Sequence, residues 1–296
     1  MFKGALTALV TPFKDGDVDE AALKRLIEFQ IRNGISGLVP CGTTGESATL
    51  TYEEHDRVIE LTIEAVAKRV PVIAGTGSNS TAETIMLTKH AQKAGADAAL
   101  LITPYYNKPT QRGLFEHYKK VAEEASIPLI LYNVPGRTSV NMLPETVARL
   151  SEIKNIAGIK DATGDLRQVS DVIEFSRDGF IVLSGDDFTT LPLMSVGGHG
   201  VISVVSNIVP KDVSDMIKLF NSGKAEEARR LHYRLEPLNR AMFIETNPVP
   251  VKTALSLMGM IEEEFRLPLV RMEEANRDKL ALALKSHGLS GARSKA

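Results

Sequence analysis

A lysine stands at the end of a short apolar run, where its amine could do chemistry that a fully hydrated lysine cannot. Lys160 follows residues 156–159, Ile-Ala-Gly-Ile, a run that is typical of a buried strand. A buried ammonium must pair with an anion, reach solvent or lose its proton. The neutral amine is the nucleophile that forms a Schiff base with a carbonyl compound. This stretch alone favours the simpler alternative, a strand-end lysine that extends into water.

Two further segments place polar side chains directly after apolar runs. Residues 42–47 are Gly-Thr-Thr-Gly-Glu-Ser, and their free backbone N–H groups could bind a carboxylate ahead of a helix. An ordinary strand-to-helix turn with an N-cap explains these residues equally well. Tyr132 lies at the end of another apolar run, and Arg137 lies in the loop after it. A phenol there can relay a proton, and a guanidinium can bind a carboxylate through two hydrogen bonds.

Other polar residues bear on the kind of substrate. Tyr105 and Tyr106 lie in a loop bracketed by prolines, and such pairs more often build an interface than a catalytic site. Asp186 and Asp187 follow the seventh apolar run. Many barrels of parallel strands bind phosphate near that position, and two carboxylates there would repel a phosphate. We therefore expect a substrate with carboxylate and carbonyl groups.

The chain offers little for other chemistries. Its six histidines are scattered without metal-ligand spacing, so no metal site is expected. A Walker A motif is absent, since residues 75–77, Gly-Thr-Gly, match only its glycines. Cys41, the single cysteine, has no neighbouring histidine and is expected to be a small buried hydrophobic residue.

Eight short apolar runs alternate with longer amphipathic segments. The runs predict strands at residues 5–10, 37–41, 72–75, 98–103, 129–133, 156–160, 181–184 and 200–204. Helices are predicted between them, for example at residues 19–33, 52–68, 81–94 and 113–125, with starts marked by Thr51 and Ser80. Eight parallel strands with helical crossovers predict an α/β fold, the (β/α)8 TIM barrel. The competing open doubly wound sheet would place a glycine-rich turn after the first strand, where this chain has none.

We predict two regions in the chain. Residues 1–209 form the catalytic barrel core, and residues 210–296 form a C-terminal helical region packed on it. The predicted C-terminal helices span residues 212–221, 225–240, 251–260 and 273–287. Lys252 also follows an apolar run, but two prolines in that run predict the start of a helix and not a strand.

Composition excludes several classes of protein. The 296 residues carry a formal net charge of −2, which gives no electrostatic reason to bind nucleic acid or an anionic membrane. No apolar run approaches the ~20 residues of a membrane-spanning helix, and no signal peptide is recognisable. One cysteine permits no intrachain disulfide. A soluble, cytoplasmic protein is expected.

Six motifs along the chain resemble those of the pyruvate-dependent class I aldolase/lyase family. They are GTTGES at 42–47, TPYYNKP at 103–109, YNVPGRT at 132–138, GIKDATGDL at 158–166, SGDD at 184–187 and GGHGVIS at 197–203, with NPVPVK at 247–252 as a further match. The resemblance covers essentially the whole chain. YNVPGRT and the tyrosine pair favour the family member that condenses pyruvate with L-aspartate 4-semialdehyde to 4-hydroxy-tetrahydrodipicolinate, the first committed step towards diaminopimelate and lysine.

The resemblance implies a role for each matching residue. Lys160 would form the Schiff base with pyruvate, and Tyr132 would donate and accept the proton in that step. Thr43 and Tyr106 would complete a hydroxyl relay with Tyr132, and Tyr106 would reach across a tight dimer interface. No cofactor is implied, because the lysine–pyruvate imine is itself the electron sink. The family is typically a homotetramer built as a dimer of dimers.

The resemblance also implies binding residues for three ligands. Thr44 would bind the carboxylate of pyruvate with the backbone of Ile202, Arg137 would bind the carboxylate of the aldehyde substrate, and Gly185 would belong to the same substrate site. An allosteric lysine site at the dimer interface would use Ser47, Ala48, Tyr52, His55, Asn79, Glu83 and Tyr105. Tyr52 stands where some lysine-sensitive members have histidine, so sensitivity could be weaker here. The alternative is that these residues simply build the interface.

Two other functions remain open on sequence. A lyase for N-acetylneuraminate or for a 2-keto-3-deoxy sugar acid would keep Lys160 and Tyr132 but would not need Arg137 for a second carboxylate. A barrel that has become a non-catalytic binding protein is the other alternative. The intact set of Lys160, Tyr132 and Thr43 argues against it.

Overall fold

Eight parallel strands form the centre of the molecule in the computed structural model, which describes residues 2–289. The strands are β1 Gly4–Ala8, β2 Gly37–Val39, β3 Ile73–Gly75, β4 Ala98–Ile102, β5 Leu129–Asn133, β6 Ile156–Asp161, β7 Ile181–Ser184 and β8 Gly200–Ser203. Their spatial order follows the chain, with β8 paired to β1. A bridge between Leu38 and Val72 joins β2 to β3 and closes the ring. The predicted (β/α)8 barrel is confirmed.

Helices surround the strands and continue beyond them. They are α1 Glu20–Arg32, α2 Tyr52–Val66, α3 Thr81–Ala94, α4 Gln111–Glu124, α5 Pro135–Thr138, α6 Pro144–Ser151, α7 Leu166–Phe175, α8 Thr190–Ser195, α9 Pro210–Asn221, α10 Ala225–Met242, α11 Val249–Leu257 and α12 Glu274–Ser286. A two-stranded hairpin, Phe13–Lys14 with Asp17–Val18, follows β1. Every predicted strand and helix is present, and the two prolines before Lys252 do begin a helix, α11.

The helix starts form as the capping residues predict. Thr51 Oγ1 accepts a hydrogen bond from Glu54 N at 3.2 Å, and Glu54 Oε2 accepts one from Thr51 N at 2.9 Å. This capping box begins α2, and Ser80 Oγ caps α3 by accepting a hydrogen bond from Glu83 N at 3.4 Å. Strand β2 is shorter than predicted because Pro40 lacks an N–H and Cys41 takes a positive φ of 55°. The backbone therefore turns away into the 42–47 loop.

The barrel has an apolar interior and two apolar outer layers. Inward-facing side chains include Leu6, Val39, Leu100, Ile130 and Leu183, all buried. The outer layers pack the other faces of the strands against the helices. Strands buried on both faces are expected in a parallel barrel, which accounts for the near-continuous apolar runs in the sequence.

The last helix of the barrel ring lies beyond the predicted region boundary. Helix α9 packs against β1 and follows β8, so it occupies the place of the eighth outer helix. Ser214 Oγ on α9 donates to Gly34 O, at the end of α1, at 3.0 Å. The helices packed outside the ring are therefore α10 to α12. Residues 290–296 of the predicted C-terminal region lie outside the described residues.

Candidate active site

Lys160 and Tyr132 face each other at the C-terminal end of the barrel. In the β5–β6 ladder Tyr132 is the register partner of Lys160, so both side chains point to the same side of the sheet. The Lys160 Nζ lies 4.1 Å from the centroid of the Tyr132 ring. Each residue is only 6% exposed. The prediction that Tyr132 lies beside Lys160 at the barrel mouth is confirmed.

The wall around the lysine is apolar and closely packed. Leu183 on β7 is the other register partner of Lys160, and Ile202 on β8 belongs to the same buried inner cluster as Tyr132. A Cβ atom at Gly185 would lie 3.0 Å from Lys160 Cε and 2.7 Å from Ala162 Cβ, so only glycine leaves room for the lysine chain. Apolar surroundings remove water that would solvate an ammonium ion. They are the setting in which a lysine acts as a nucleophile.

The carboxylate next to the lysine in sequence faces the other way. Asp161 lies in a row with Asn133 and Ser184 on the helix-facing side of the strands. Its Oδ1 accepts hydrogen bonds from Thr163 N at 3.0 Å and from Thr163 Oγ1 at 2.6 Å. Burial raises the pKa of Asp161. The expected separation of Asp161 from the amine of Lys160 is therefore confirmed.

The loop after β2 has the tight conformation that its glycines predict. Gly45 N donates to Gly42 O at 3.0 Å, and Glu46 N donates to Thr43 O at 3.2 Å. Within residues 2–289 the amides of Thr43 and Thr44 donate to no protein acceptor. Thr44 is buried, and its Oγ1 accepts from Asn247 Nδ2 at 3.0 Å. Free amides beside hydroxyls can bind a small carboxylate.

Arg137 lies across the mouth from this loop. It belongs to α5, the short helix that begins directly after β5, and its side chain is exposed. Arg137 Nη2 donates to the carbonyl oxygen of Asn247 at 3.1 Å. Asn247 therefore contacts both Thr44 and Arg137. The remaining donors of the guanidinium can bind a carboxylate that enters the mouth.

One cavity of about 650 Å³ joins the barrel mouth to an outer groove. At the mouth it is lined by Thr43, Tyr132 and Arg137. Lys160 is not among the lining residues, but its Nζ lies 4.1 Å from the centroid of the Tyr132 ring, which does line the cavity. Farther out it is lined by Ser47, Ala48, Tyr52, His55, Glu83 and Tyr105. Six of the seven residues predicted for an allosteric site thus line one groove. Asn79 does not line it, but its carbonyl oxygen accepts from Asn107 Nδ2 at 2.8 Å.

Glu83 is one of the acidic residues that line the outer groove. Its carboxylate accepts hydrogen bonds from the hydroxyls of Ser78 and Tyr52. These hydrogen bonds lower the pKa of Glu83. Burial lowers the pKa of His55, whose Nε2 lies 2.9 Å from Gly75 O. The groove therefore presents the Glu83 carboxylate beside the His55 imidazole, with Glu53 also in its lining.

Tyr106 is not part of the site within one chain. It is 90% exposed, takes a positive φ of 69° and does not line the cavity. Its neighbour Tyr105 does line the outer groove. A hydroxyl relay that includes Tyr106 requires a second copy of the chain, so its place in the relay stays a prediction.

The aspartates after β7 are turned inward and are already bonded. Asp187 Oδ2 accepts from Val204 N at 2.9 Å and from Val205 N at 3.0 Å. Burial raises the pKa of Asp187 and also that of Asp186. The amides after β8, which could otherwise face a phosphate, are therefore occupied by a carboxylate. This arrangement agrees with the expectation of a substrate without phosphate.

Cys41 has the properties of a core residue. It is buried, and its Sγ lies 3.6 Å from the carbonyl oxygen of His55. Burial raises the pKa of the Cys41 thiol, so the reactive thiolate is disfavoured.

The sequence did not predict that Lys252 and Asn247 would contact residues of the site. Lys252 is fully buried on α11 and donates to Glu46 in the loop after β2. The available signal was a lysine directly after an apolar run, the same signal that singled out Lys160. The two prolines before Lys252 correctly predicted the start of a helix. The neighbouring sequence did not indicate that Lys252 would contact the carboxylate of Glu46, which is distant in the chain.

Within residues 2–289 no helix has both the length and the apolar character needed to cross a bilayer. In the same range no three side chains among His, Cys, Asp and Glu are grouped so as to hold a metal ion.

Comparisons with known proteins agree with this geometry. The family model of the dihydrodipicolinate synthetase family matches residues 1–287. The 4-hydroxy-tetrahydrodipicolinate synthase of Thermodesulfovibrio yellowstonii is 63% identical over 289 residues, which cover 98% of this chain and 99% of that protein.

Two solved structures are also very similar. The dihydrodipicolinate synthase of Acinetobacter baumannii, complexed with pyruvate, has a TM-score of 0.96 and 49% identity, covering 98% of this chain and 100% of that one. The synthase of Cyanidioschyzon merolae with lysine bound has a TM-score of 0.95 and 42% identity, covering 97% and 99%. Full-length similarity at these levels, together with the family model, identifies the family. The chain belongs to the dihydrodipicolinate synthetase family.

Proposed function

We propose that this chain condenses pyruvate with L-aspartate 4-semialdehyde to 4-hydroxy-tetrahydrodipicolinate. The observation that carries the proposal is the Lys160 amine, 4.1 Å from the Tyr132 ring in an apolar wall beside a loop with free amides. The relative at 63% identity carries the name of this synthase, which supports the same substrates.

The reaction begins with the amine of Lys160. It attacks the keto carbon of pyruvate, and loss of water gives the protonated imine. The imine withdraws electrons from the neighbouring methyl group, so one proton leaves and an enamine forms. The enamine carbon bonds to the aldehyde carbon of the second substrate. The amine of L-aspartate 4-semialdehyde then attacks the imine carbon, which closes the ring and releases the amine of Lys160. One water is lost over the whole reaction, in the step that forms the first imine.

These steps move several protons, and Tyr132 is the group placed to carry them. Its phenol can give a proton to the departing oxygen and recover one from a later intermediate. Thr43 lines the same cavity and can extend the hydroxyl relay. Tyr106 would supply the third hydroxyl from a second copy of the chain. The imine serves as the electron sink, so the mechanism requires no metal or organic cofactor.

The carboxylates of the two substrates need separate partners. We assign the pyruvate carboxylate to Thr44 and the neighbouring amide groups, with the backbone of Ile202 closing the other side. The carboxylate of the aldehyde substrate is assigned to Arg137 at the exposed edge of the mouth. Gly185 admits the bound substrate beside Lys160, because any larger residue would collide with the lysine chain.

We further propose a homotetramer, a dimer of dimers, in the cytoplasm. An exposed tyrosine on a loop beside the site is suited to an interface between copies, and Tyr106 is 90% exposed. The availability of pyruvate, a product of central metabolism, supports the proposed cytoplasmic location.

The outer groove is proposed as a site for lysine feedback. A lysine ammonium would bind beside Glu83, but the hydroxyl of Tyr52 already donates to that carboxylate. Binding should therefore be weak, and Tyr52→Phe should tighten it. Calorimetric titration with L-lysine checks both statements, and absence of binding in both proteins would remove the assignment.

A direct assay separates the synthase from its relatives. The purified chain is supplied with pyruvate and L-aspartate 4-semialdehyde, and product is followed with a coupled reductase. N-acetylneuraminate and a 2-keto-3-deoxy sugar acid are offered in parallel. The proposal requires condensation at a rate far above cleavage of either sugar acid, and the reverse order would overturn it.

A further inference from the structure

A buried ion pair joins the C-terminal helices to the loop that follows β2. Lys252 on α11 donates to Glu46 Oε1, and both side chains are wholly buried. The Lys252 Nζ also lies 4.2 Å from the ring centroid of Phe13 and 5.1 Å from that of Phe265. Burial lowers the pKa of Lys252, and the charge of Glu46 opposes that effect. The two residues are 206 positions apart in the chain, so only the finished fold brings them together.

Stability alone is a poor explanation for this pair. Removing two charges from water costs several kcal/mol per ion, and apolar replacements of the same volume are often as stable. The pair is also incompletely satisfied, because Glu46 Oε2 has no partner within residues 2–289. A buried pair of this kind can instead fix one geometry among several. The effect of the Lys252–Glu46 pair should then appear in the segments that carry these two residues.

Glu46 attaches the pair to the substrate loop. It lies two residues after Thr44 and takes the left-handed conformation, with a φ of 53°. Its amide donates to Thr43 O at 3.2 Å, so the position of Glu46 limits the position of Thr43. A left-handed residue other than glycine costs free energy and persists where surrounding contacts hold it. The bond from Lys252 is such a contact.

A second link runs from the same C-terminal segment. Asn247, just before α11, donates to Thr44 Oγ1 at 3.0 Å and accepts from Arg137 at 3.1 Å. The segment 247–252 therefore holds both sides of the mouth, the pyruvate loop and the arginine.

We propose that Lys252, acting through Glu46, is a positioning residue that holds the Thr43–Thr44 loop in the geometry that binds the pyruvate carboxylate. The proposal rests on the proposed function. It assigns the C-terminal helices a role in the first half-reaction, in addition to their packing on the barrel. The competing explanation is that the pair only fills a buried space between α11 and the hairpin after β1.

The double substitution Glu46→Gln and Lys252→Met removes both charges and keeps the volumes similar. The pyruvate concentration that half-saturates borohydride trapping should rise about tenfold or more, equivalent to about 1.4 kcal/mol of binding. The Michaelis constant for the aldehyde should change less than about twofold. Amide hydrogen exchange of residues 42–47 should accelerate while the barrel strands stay protected.

Two comparisons make the result specific. Glu20→Gln with Arg57→Met removes a two-point ion pair between α1 and α2, with contacts of 2.7 and 2.8 Å, and should leave pyruvate saturation and loop exchange unchanged. If the first double variant does not fold, Glu46→Asp with Lys252→Arg keeps both charges and alters only their reach. A loosened loop is expected in that variant too.

The proposal is overturned if the Glu46/Lys252 double variants keep the native half-saturating pyruvate concentration and the native amide exchange of residues 42–47. The exchange measurement needs no turnover, so it decides the positioning role even if native chain fails to trap pyruvate. Failure of trapping in the native chain would instead count against the proposed function.

Discussion

At the residue scale, the chemistry depends on which side of a strand each group occupies. Register alignment of Tyr132 with Lys160 puts a phenol ring against the amine, whereas Asp161, one position later, faces the helices. An amine with a carboxylate neighbour would be held as an ion pair. Alternation along β6 keeps Asp161 from forming such a pair without any special backbone geometry.

Replacing Tyr132 by phenylalanine tests the relay. The ring stays packed over Lys160 while the hydroxyl is lost, so turnover should fall by about 10²–10⁴-fold with little change in the thermal midpoint. Steady-state rates and thermal melting monitored by circular dichroism measure the two effects.

Tyr118→Phe is the matched control for that variant. Tyr118 is fully buried on α4, and its hydroxyl donates to Leu101 O at 3.3 Å. Its loss should cost about 1 kcal/mol of stability and leave turnover near the native rate. A Tyr132→Phe protein that loses stability but keeps activity would reveal a packing role for that residue.

At the element scale, the loops after the strands carry function because the strands and helices around them are rigid. N-cap side chains such as Thr51 and Ser80 begin helices within a few residues of the predicted positions. The neighbouring helices are held together by buried polar contacts as well as apolar ones. One of them, between α3 and α4, depends on pH.

His117 on α4 should make stability depend on pH. Its Nδ1 lies 2.9 Å from Thr81 Oγ1, and burial lowers its pKa from 6.5 to about 4. Between these values the unfolded chain binds a proton that the folded chain does not, so stability falls as pH drops from 6.5 to 4. The loss should reach about 3 kcal/mol and then level off.

Denaturant unfolding of native protein and His117→Gln, over pH 4 to 7 at one protein concentration, measures this effect. The variant should show a shallower fall, because glutamine can keep a hydrogen bond to Thr81 without titrating. Parallel curves for the two proteins would show that His117 is not the responsible group.

At the scale of the whole molecule, the proposed site draws on residues outside the barrel strands. Helix α11 reaches the pyruvate loop through Lys252, and Tyr106 points out to where a second copy could use it. Under these proposals, residues from outside the barrel strands complete a site whose amine lies on strand β6.

Mixed dimers test the exchange of Tyr106. Tyr106→Phe and Lys160→Ala proteins should each be strongly impaired alone. In a mixed dimer, the chain that keeps Lys160 receives an intact Tyr106 from its neighbour, so activity should return. Co-expression with two affinity tags isolates the mixed species, and activity no higher than that of either parent would place Tyr106 outside the neighbour's site.

The sequence predicts much of this molecule and misses a definable part. Alternating apolar runs predict the strands, and strand ends place Lys160, Tyr132 and Thr43 together, because local pattern and the geometry of a barrel suffice for both. The pairing of Lys252 with Glu46 is not predictable in that way, since it depends on how α11 packs over the mouth. The sequence places α9 in the predicted C-terminal region, because no apolar run follows it. In the structure α9 packs on β1 as a barrel helix.

Covalent trapping of pyruvate tests most directly whether Lys160 forms the Schiff base. The chain is incubated with pyruvate and sodium borohydride, digested and examined by peptide mass spectrometry. We predict one reduced adduct per chain, on Lys160, that persists in Lys154→Ala, which changes an exposed lysine six residues earlier in the chain. It should disappear in Lys160→Ala. An unlabelled native chain, or an adduct on another lysine such as Lys252, would contradict the account.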